Sequence, residues 1–405
     1  MTRVFSIALT MCLVLPACGE TPPTERYGFL ARLGQDTISV ESVTRYQDRF
    51  VSEEVDRFPE VRRRHTEITL AADGSPARMD MHVRIPSADS ASRNRRIVAT
   101  FKRDTVRVSL TDGSGTRTIA MATDGMLTIP HVPQMYSLLE LYFAAALERA
   151  KIDSLPPGAT VNTRQFYPDR EFSNYPVPMH RGFVRPVRGD SVEIQHYWLS
   201  GTGVAVLDST RHMLSYNGAR TTYLVEVTRL DSPPDVEAIG QQFASAEKAR
   251  GPVVALSVRD TLHAAIGSAN FTVDYARPLL RGRTLLGDII PYNQVWRTGA
   301  NAATQFSTSA PIRLGSLALA PGTYTLWTLP RRDGVSLIVN RQVGQWGTEY
   351  GPAHDIGRTP LALTAPGSPT EEFTIAIEPG DGRSGLLALS WGPFRWTVPI
   401  QVTGN

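Results

Sequence analysis

Apolar and polar residues alternate with a period of two over much of this chain, a pattern that predicts half-buried strands. Asp36–Thr44 alternates about Ile38 and Val40. Ile68–Ala71 and Met79–Ile85 flank Ala72-Asp73-Gly74-Ser75, the turn chemistry of a tight hairpin. The same Asp-Gly signal recurs at Asp112-Gly113 and Asp124-Gly125. Ser191–Leu199, Val204–Asp208 and Thr221–Leu230 read as further strands. Strand after strand joined by short turns predicts an antiparallel meander over residues 26–230.

One segment breaks the period. Pro133–Lys151 has no glycine and no internal proline, and Met135, Leu138, Leu139, Tyr142, Ala145 and Ala146 recur at helical spacing. Leu141, Phe143 and Leu147 widen that apolar face. A helix over 133–151 must bury against the sheet. The first domain is therefore expected to be a curved antiparallel sheet carrying one helix, an arrangement that resembles half-barrel lipid carriers of the lipoprotein-localisation type. A lipid-handling role is one reading of it.

Pro233 and Pro234 cannot continue a ladder, so the domain should end near residue 230. Residues 231–252 read as a linker in which Val236–Arg250 has helical composition, closed by Gly251-Pro252. Beyond it the period of two returns. Phe373, Ile375 and Ile377 alternate with polar neighbours, as do Trp396, Val398 and Ile400. Val253–Val258, Asn270–Tyr275, Thr304–Thr308, Thr323–Leu329 and Val335–Asn340 supply more short strands. Strands without a convincing helix predict a β-sandwich over 253–405. The fold class is mainly β, and 405 residues suit two cores.

The N-terminus changes where such a protein should be found. Arg3 precedes an apolar run from Val4 to Leu15, which is shorter than the roughly 20 residues of a spanning helix. Leu15-Pro16-Ala17-Cys18 follows and resembles the lipobox of bacterial lipoprotein signal peptides. Residues 1–17 are then a signal peptide, Cys18 the lipidation site and residues 18–25 a tether. The expected location is the bacterial cell envelope, on the outer membrane facing the periplasm in a Gram-negative cell. Cys12 would be discarded and Cys18 blocked, which removes disulfides, cysteine catalysis and thiolate metal sites. The net charge is only +3. Arg62-Arg63-Arg64 and Arg93, Arg95 and Arg96 stand among acidic residues and read as solvated strand ends or loops, so no nucleic-acid partner is expected.

Five blocks in the second domain occur in a recognisable order. They are Tyr275–Pro278, Gly282–Gly287, Ile290–Asn301, Pro321–Trp327 and Gln345-Trp346-Gly347. Together they resemble DUF2911, a bacterial domain family of unknown function, over roughly residues 255–400. The stretch from Pro291 to Asn301 is the specific part. The family's Ala-Asn-Glu-Ala-Thr run has its glutamate replaced by Ala302 here, so any role of that carboxylate is lost. The resemblance implies a fold and leaves the chemistry open.

Trp296-Arg297-Thr298-Gly299-Ala300-Asn301 carries the richest chemistry. An indole offers a flat apolar face, Arg297 a two-pronged donor for a carboxylate or phosphate, and Asn301 a mixed donor and acceptor. The alternative is structural, with Arg297 and Asn301 satisfying loop carbonyls while Trp296 packs the core. Trp327 stands on a strand with bulk on both faces, so it lies under a loop or lines a sugar-stacking groove. Trp346 completes the candidate ligand-binding set. Gly380–Gly385 matches a dinucleotide glycine pattern, but a strand follows it rather than a helix, which makes it a hairpin loop. The eight histidines are scattered without ligand spacing. Glu53-Glu54 and Glu371-Glu372 read as solvated charge. No cofactor, metal or catalytic residue is assigned. The leading reading is a non-enzymatic, membrane-tethered protein whose second domain binds a small polar or glycan-like ligand. The rivals are the lipid carrier and an enzyme of unrecognised type.

Overall fold

The computed structural model describes residues 22–58, 60–86, 93–168, 179–195, 202–221, 223–251, 256–364 and 367–403. The predicted signal peptide and Cys18 lie outside them. The chain is mainly β. It opens as an antiparallel meander of β1 (Glu25–Leu33), β2 (Asp36–Arg45), β3 (Arg49–Asp56), β4 (Arg62–Leu70), β5 (Pro76–Arg84), β6 (Arg95–Phe101), β7 (Thr105–Asp112) and β8 (Gly115–Ala122). A short β9 (Thr128–Pro130) and the helix α1 (Tyr136–Ile152) follow. The second half of the sheet is β10 (Val161–Phe166), β11 (His180–Pro186), β12 (Ser191–Gln195), β13 (Thr202–Leu207), β14 (Met213–Asn217) and β15 (Glu226–Leu230).

β15 pairs with β1, so the two halves join into one sheet of 15 described strands whose edges are β8 and β9. β9 runs parallel to β10, where a purely antiparallel meander was expected. The two edge strands are consecutive in sequence. The loop between Ala122 and Thr128 can span only roughly 20 Å, so the sheet must curl until its edges nearly meet. Helix α1 fills the concave side.

That curl explains the helix's burial. A single apolar face was expected, yet every residue from Tyr136 to Phe143 is buried. The helix begins later than residue 133 because its first turn is capped from the sheet. Glu41 Oε2 on β2 accepts from the Tyr136 and Ser137 amides at 2.7 and 2.9 Å, while its Oε1 accepts from Ser52 Oγ and Ser137 Oγ. Burial pushes the Glu41 carboxyl upward, and these four donors oppose that push.

Glu140, in the middle of the helix, is fully buried. Its Oε1 accepts from Tyr27 on β1 and from Arg45 Nη2 on β2 at 2.6 Å. Oε2 accepts from the Met213 amide at 2.8 Å and from Arg229 Nη1 at 3.0 Å. The Arg229 guanidinium also lies over the Tyr27 ring at 3.6 Å and pairs with Glu25. One carboxylate thus ties the helix to both sides of the β1–β15 seam.

Two readings of charge are corrected. Glu54 and Arg64 are both 1% exposed, although each was expected in water. Arg64 Nη1 donates to Glu54 Oε2 at 2.7 Å and also to Asp56 Oδ2. Period two turns Glu53 outward to His65 and Glu54 inward, so adjacent glutamates meet opposite environments. Burial pushes the Glu54 carboxyl well upward despite Arg64 beside it.

Residues 231–251 are docked on the first domain. Asp235 caps helix α2 (Val236–Arg250) by accepting from the Ala238 amide at 2.9 Å. Val236, Ile239 and Phe243 pack on Val40, Val55 and Val61, at the back of β2 and β3.

The second domain comprises β16 (Ser257–Ile266), β17 (Ala269–Pro278), β18 (Thr304–Thr308), β19 (Ile312–Leu314), β20 (Leu317–Leu319), β21 (Gly322–Arg331), β22 (Gly334–Asn340), β23 (Asp355–Thr364), β24 (Thr370–Pro379), β25 (Ser384–Gly392) and β26 (Phe394–Val402). One layer runs β16-β17-β18-β21-β22-β23. β23 then pairs with the start of β26, while β25 covers the other edge of β26 and carries β24. A bridge from Leu279 to Glu372 brings the β17 end to β24, which nearly closes the sandwich. Phe271, Phe306, Leu326, Phe373, Trp391 and Trp396 lie in its core. The Gly380–Gly385 run is the β24–β25 hairpin.

Glu140→Gln should destabilise the protein by about 3–5 kcal/mol, because Arg45 and Arg229 then lose a buried counter-charge. The check is the urea midpoint of the first domain's transition at constant m-value; a shift below 1 kcal/mol would show that the seam does not depend on this carboxylate.

Candidate functional site

β21 buries bulk on both faces. Tyr324 and Leu326 point into the sandwich, while Trp327 and Leu329 point out of it and are only 1% and 7% exposed. With Ala303 and Ile338 they make a second, smaller core on the outer face of the sheet. Loops 293–303 and 341–354 cover it, contributing Val295 and Tyr350, whose ring lies 5.0 Å from that of Trp327. Trp327 therefore lies under a loop, with its indole Nε1 donating to Thr325 Oγ1 at 3.0 Å.

The cap is pinned to the sheet at several points. Trp296 exchanges both backbone hydrogen bonds with Thr328 at 2.8 Å. Ala302 bridges to Trp346, the Gly347 amide donates to Asn301 O at 2.9 Å, and the Ala303 amide donates to Gln345 O at 3.2 Å. Tyr350 Oη and Asn340 Nδ2 donate to Asp355 at 2.6 and 2.9 Å, which ties Asp355 to the cap. Thr298 and Asn301 adopt φ values of +52° and +59°. Left-handed geometry in a β-branched threonine is costly, and it is held here by Thr304 Oγ1 donating to Thr298 O at 2.6 Å.

The predicted ligand residues divide among three environments. Trp296 turns into the main core, stacked on Trp391 at 5.6 Å and edge-on to Phe373 at 5.2 Å. The apolar cleft beside it, lined by Leu286, Ile290 and Trp396, has room for about one water molecule. Trp327 belongs to the covered outer core. Arg297, Asn301 and Trp346 come together in the cap.

Arg297 is the anomaly. Its side chain is half-buried and makes no hydrogen bond or ion pair within the described residues, and its Nε is sealed from solvent without an acceptor. Burial pushes the guanidinium down to about 10, and no carboxylate offsets the shift. It stays charged at neutral pH. Its stem crosses Gly347, where an added methyl would collide with Arg297 Cδ and Asn301 O. Gln345, two residues earlier and 7% exposed, is a second anomaly: its Nε2 donates to Thr325 Oγ1 at 3.2 Å, while its Oε1 is buried without a donor. Reasoning from single residues missed Gln345; only its place in the Gln345-Trp346-Gly347 block marked it. Trp346 is 47% exposed beside them.

Among the described residues no group of three or more His, Cys, Asp or Glu is placed to hold a metal ion. His131 is half-buried, and desolvation pushes its imidazole down to about 3, which keeps it neutral.

The second domain is thus a β-sandwich with a loop-capped outer face and a charged, unpaired arginine in the cap. Residues 257–400 match the family described as protein of unknown function, DUF2911. No curated protein matches the chain. Among solved structures, a DUF1089 family protein from Pseudomonas aeruginosa is similar over 54% of this chain and 97% of its own, at 14% identity and a TM-score of 0.31. A likeness that loose carries no argument here.

Trp327→Ala should cost about 3–5 kcal/mol of stability, as expected for an indole in a covered core. Chemical denaturation of the full chain checks this, and a loss under 1 kcal/mol would mean that the loops leave the ring accessible.

Proposed function

We propose that this protein is a non-enzymatic binding protein of the bacterial cell envelope, held at the membrane by lipid on Cys18, whose second domain takes a small anionic or polar ligand at Arg297. The observation that carries the reading is the unpaired guanidinium. The side chain is half-buried and its Nε is sealed without an acceptor; partial desolvation of an unpaired charge carries a cost, and an arginine kept solely for packing could be replaced by an uncharged side chain of similar volume. A ligand carboxylate or phosphate would supply the missing acceptors in two-pronged geometry. Strain at Thr298 and Asn301 supports the same place, since backbone strain collects at functional loops. The location rests on the N-terminal sequence alone.

Arg297→Met should then raise stability by about 1–3 kcal/mol while abolishing anion binding, the trade expected where a site is built against the fold's interest. Paired denaturant melts and calorimetric titrations of the two proteins measure both effects. A destabilised Arg297→Met protein would mark the arginine as scaffold.

Cys18→Ser should release the protein from membrane fractions and remove the acyl mass from its N-terminal peptide. A wild-type chain that is soluble and begins unmodified at residue 18 would overturn the anchoring.

A further inference from the structure

The cap holds more than a lone cation, and its other members narrow the ligand. We infer that this site takes a sugar acid, meaning a polyhydroxylated monocarboxylate such as a uronate. Its carboxylate would meet Arg297, one hydroxyl would donate to Gln345 Oε1, and its apolar face would rest on Trp346. The inference rests on the proposal that Arg297 is a ligand-binding group.

Charge matching comes first. Arg297 is the cation of the site, and the Glu349 carboxylate accepts from the Trp346 amide at 3.2 Å at its rim. A monocarboxylate neutralises the guanidinium. A phosphate dianion leaves one negative charge withdrawn from water, and a neutral sugar leaves the guanidinium as it was; both are penalised in a poorly solvated site.

Gln345 adds the second requirement. Thr325 Oγ1 accepts from Gln345 Nε2 and from Trp327 Nε1, and spends its own proton on Gln342 O at 2.9 Å. The amide is thereby oriented, and Oε1 is left as a buried acceptor wanting a donor. Simple fatty acid anions have no hydroxyl to give it, and inorganic phosphate, which keeps a P–OH at neutral pH, is set apart by its charge instead. Sugar acids have several hydroxyls.

Position supplies the third. Trp346 bridges to Ala302, and the chain then turns at Gly347, where the Arg297 stem occupies the space that the missing side chain leaves, two residues from Gln345. Trp346 stands exposed at the rim, where a flat ring suits the apolar face of a pyranose. Gln345 Oε1 is sealed, so a ligand hydroxyl reaches it only when the 345–347 segment shifts from its backbone bonds to Asn301 and Ala303.

The test is calorimetric titration of the full mature chain in detergent with galacturonate, glucuronate, galactose, propionate and inorganic phosphate. Galacturonate and galactose differ only in carboxylate against hydroxymethyl. At least one uronate should bind about tenfold or more tighter than galactose, propionate and phosphate, a gap of one to two interactions. Gln345→Met should lose about tenfold for that uronate and leave weak propionate binding unchanged, which also shows that the variant is folded. Gly347→Ala should weaken every anion by displacing Arg297 while keeping its charge. If phosphate or propionate binds as tightly as either uronate, or Gln345→Met spares the uronate, the sugar-acid assignment is wrong and an anion site at Arg297 stands. If nothing binds and Arg297→Met is more stable than wild type, the sugar-acid assignment again fails alone. If nothing binds and Arg297→Met is less stable, Arg297 is structural and both readings fall.

Discussion

The burial of Glu140 is the constraint around which the first domain is arranged. A carboxylate on the fully enclosed middle turn of a helix is tolerable only if donors converge on it from the surrounding wall. Tyr27, Arg45 and Arg229 do so from β1, β2 and β15, and the Met213 amide from β14. These strands border the seam where the start of the domain pairs with its end. The ion cluster therefore demands that a curled sheet close around the helix in one register. Such a cluster adds little net stability compared with a well-packed apolar core. Its effect is specificity, since another register would leave Glu140 buried without partners.

The same logic extends along the concave face. Glu41 caps the helix whose middle turn Glu140 anchors, and Glu54 and Asp56 clasp Arg64 nearby. The helix is thus placed by directional bonds at its N-terminus and its middle, with apolar packing between them. Contacts that join residues far apart in sequence predict slow folding. They also make the two halves of the sheet depend on each other.

The second domain divides its requirements differently. Its main core is aromatic and fully paired, and its outer face carries a smaller core roofed by two loops. Within that roof the usual rules fail together: three non-glycine residues are left-handed, a guanidinium nitrogen lacks an acceptor and an amide oxygen lacks a donor. A sequence is normally consistent across levels, and a local cluster of violations is where function is expected to sit. Trp296 and Trp327 are not part of that cluster. Each pins the roof or its floor by packing, which leaves Arg297, Gln345 and Trp346 as the residues of the proposed site.

Sequence alone determined the mainly β class, the meander, the helix near 133–151 and the sandwich, because alternation and helical spacing are local properties of the chain. It also picked out Arg297, Asn301 and Trp346, through a motif dense in binding chemistry. Tertiary structure alone decided which side of each residue would meet water. Glu53 and Glu54 look identical in sequence, yet one faces solvent and the other Arg64, and nothing local distinguishes them. Helix α1 shows one apolar stripe in its spacing, and only a sheet curling around it buries the rest. Sequence left Trp296 and Trp327 open between a ligand site and a core, and the strands placed one in the main core and the other beneath the cap. The physical reason is common to all three. Periodicity assigns residues to faces, but what covers a face depends on segments elsewhere in the chain.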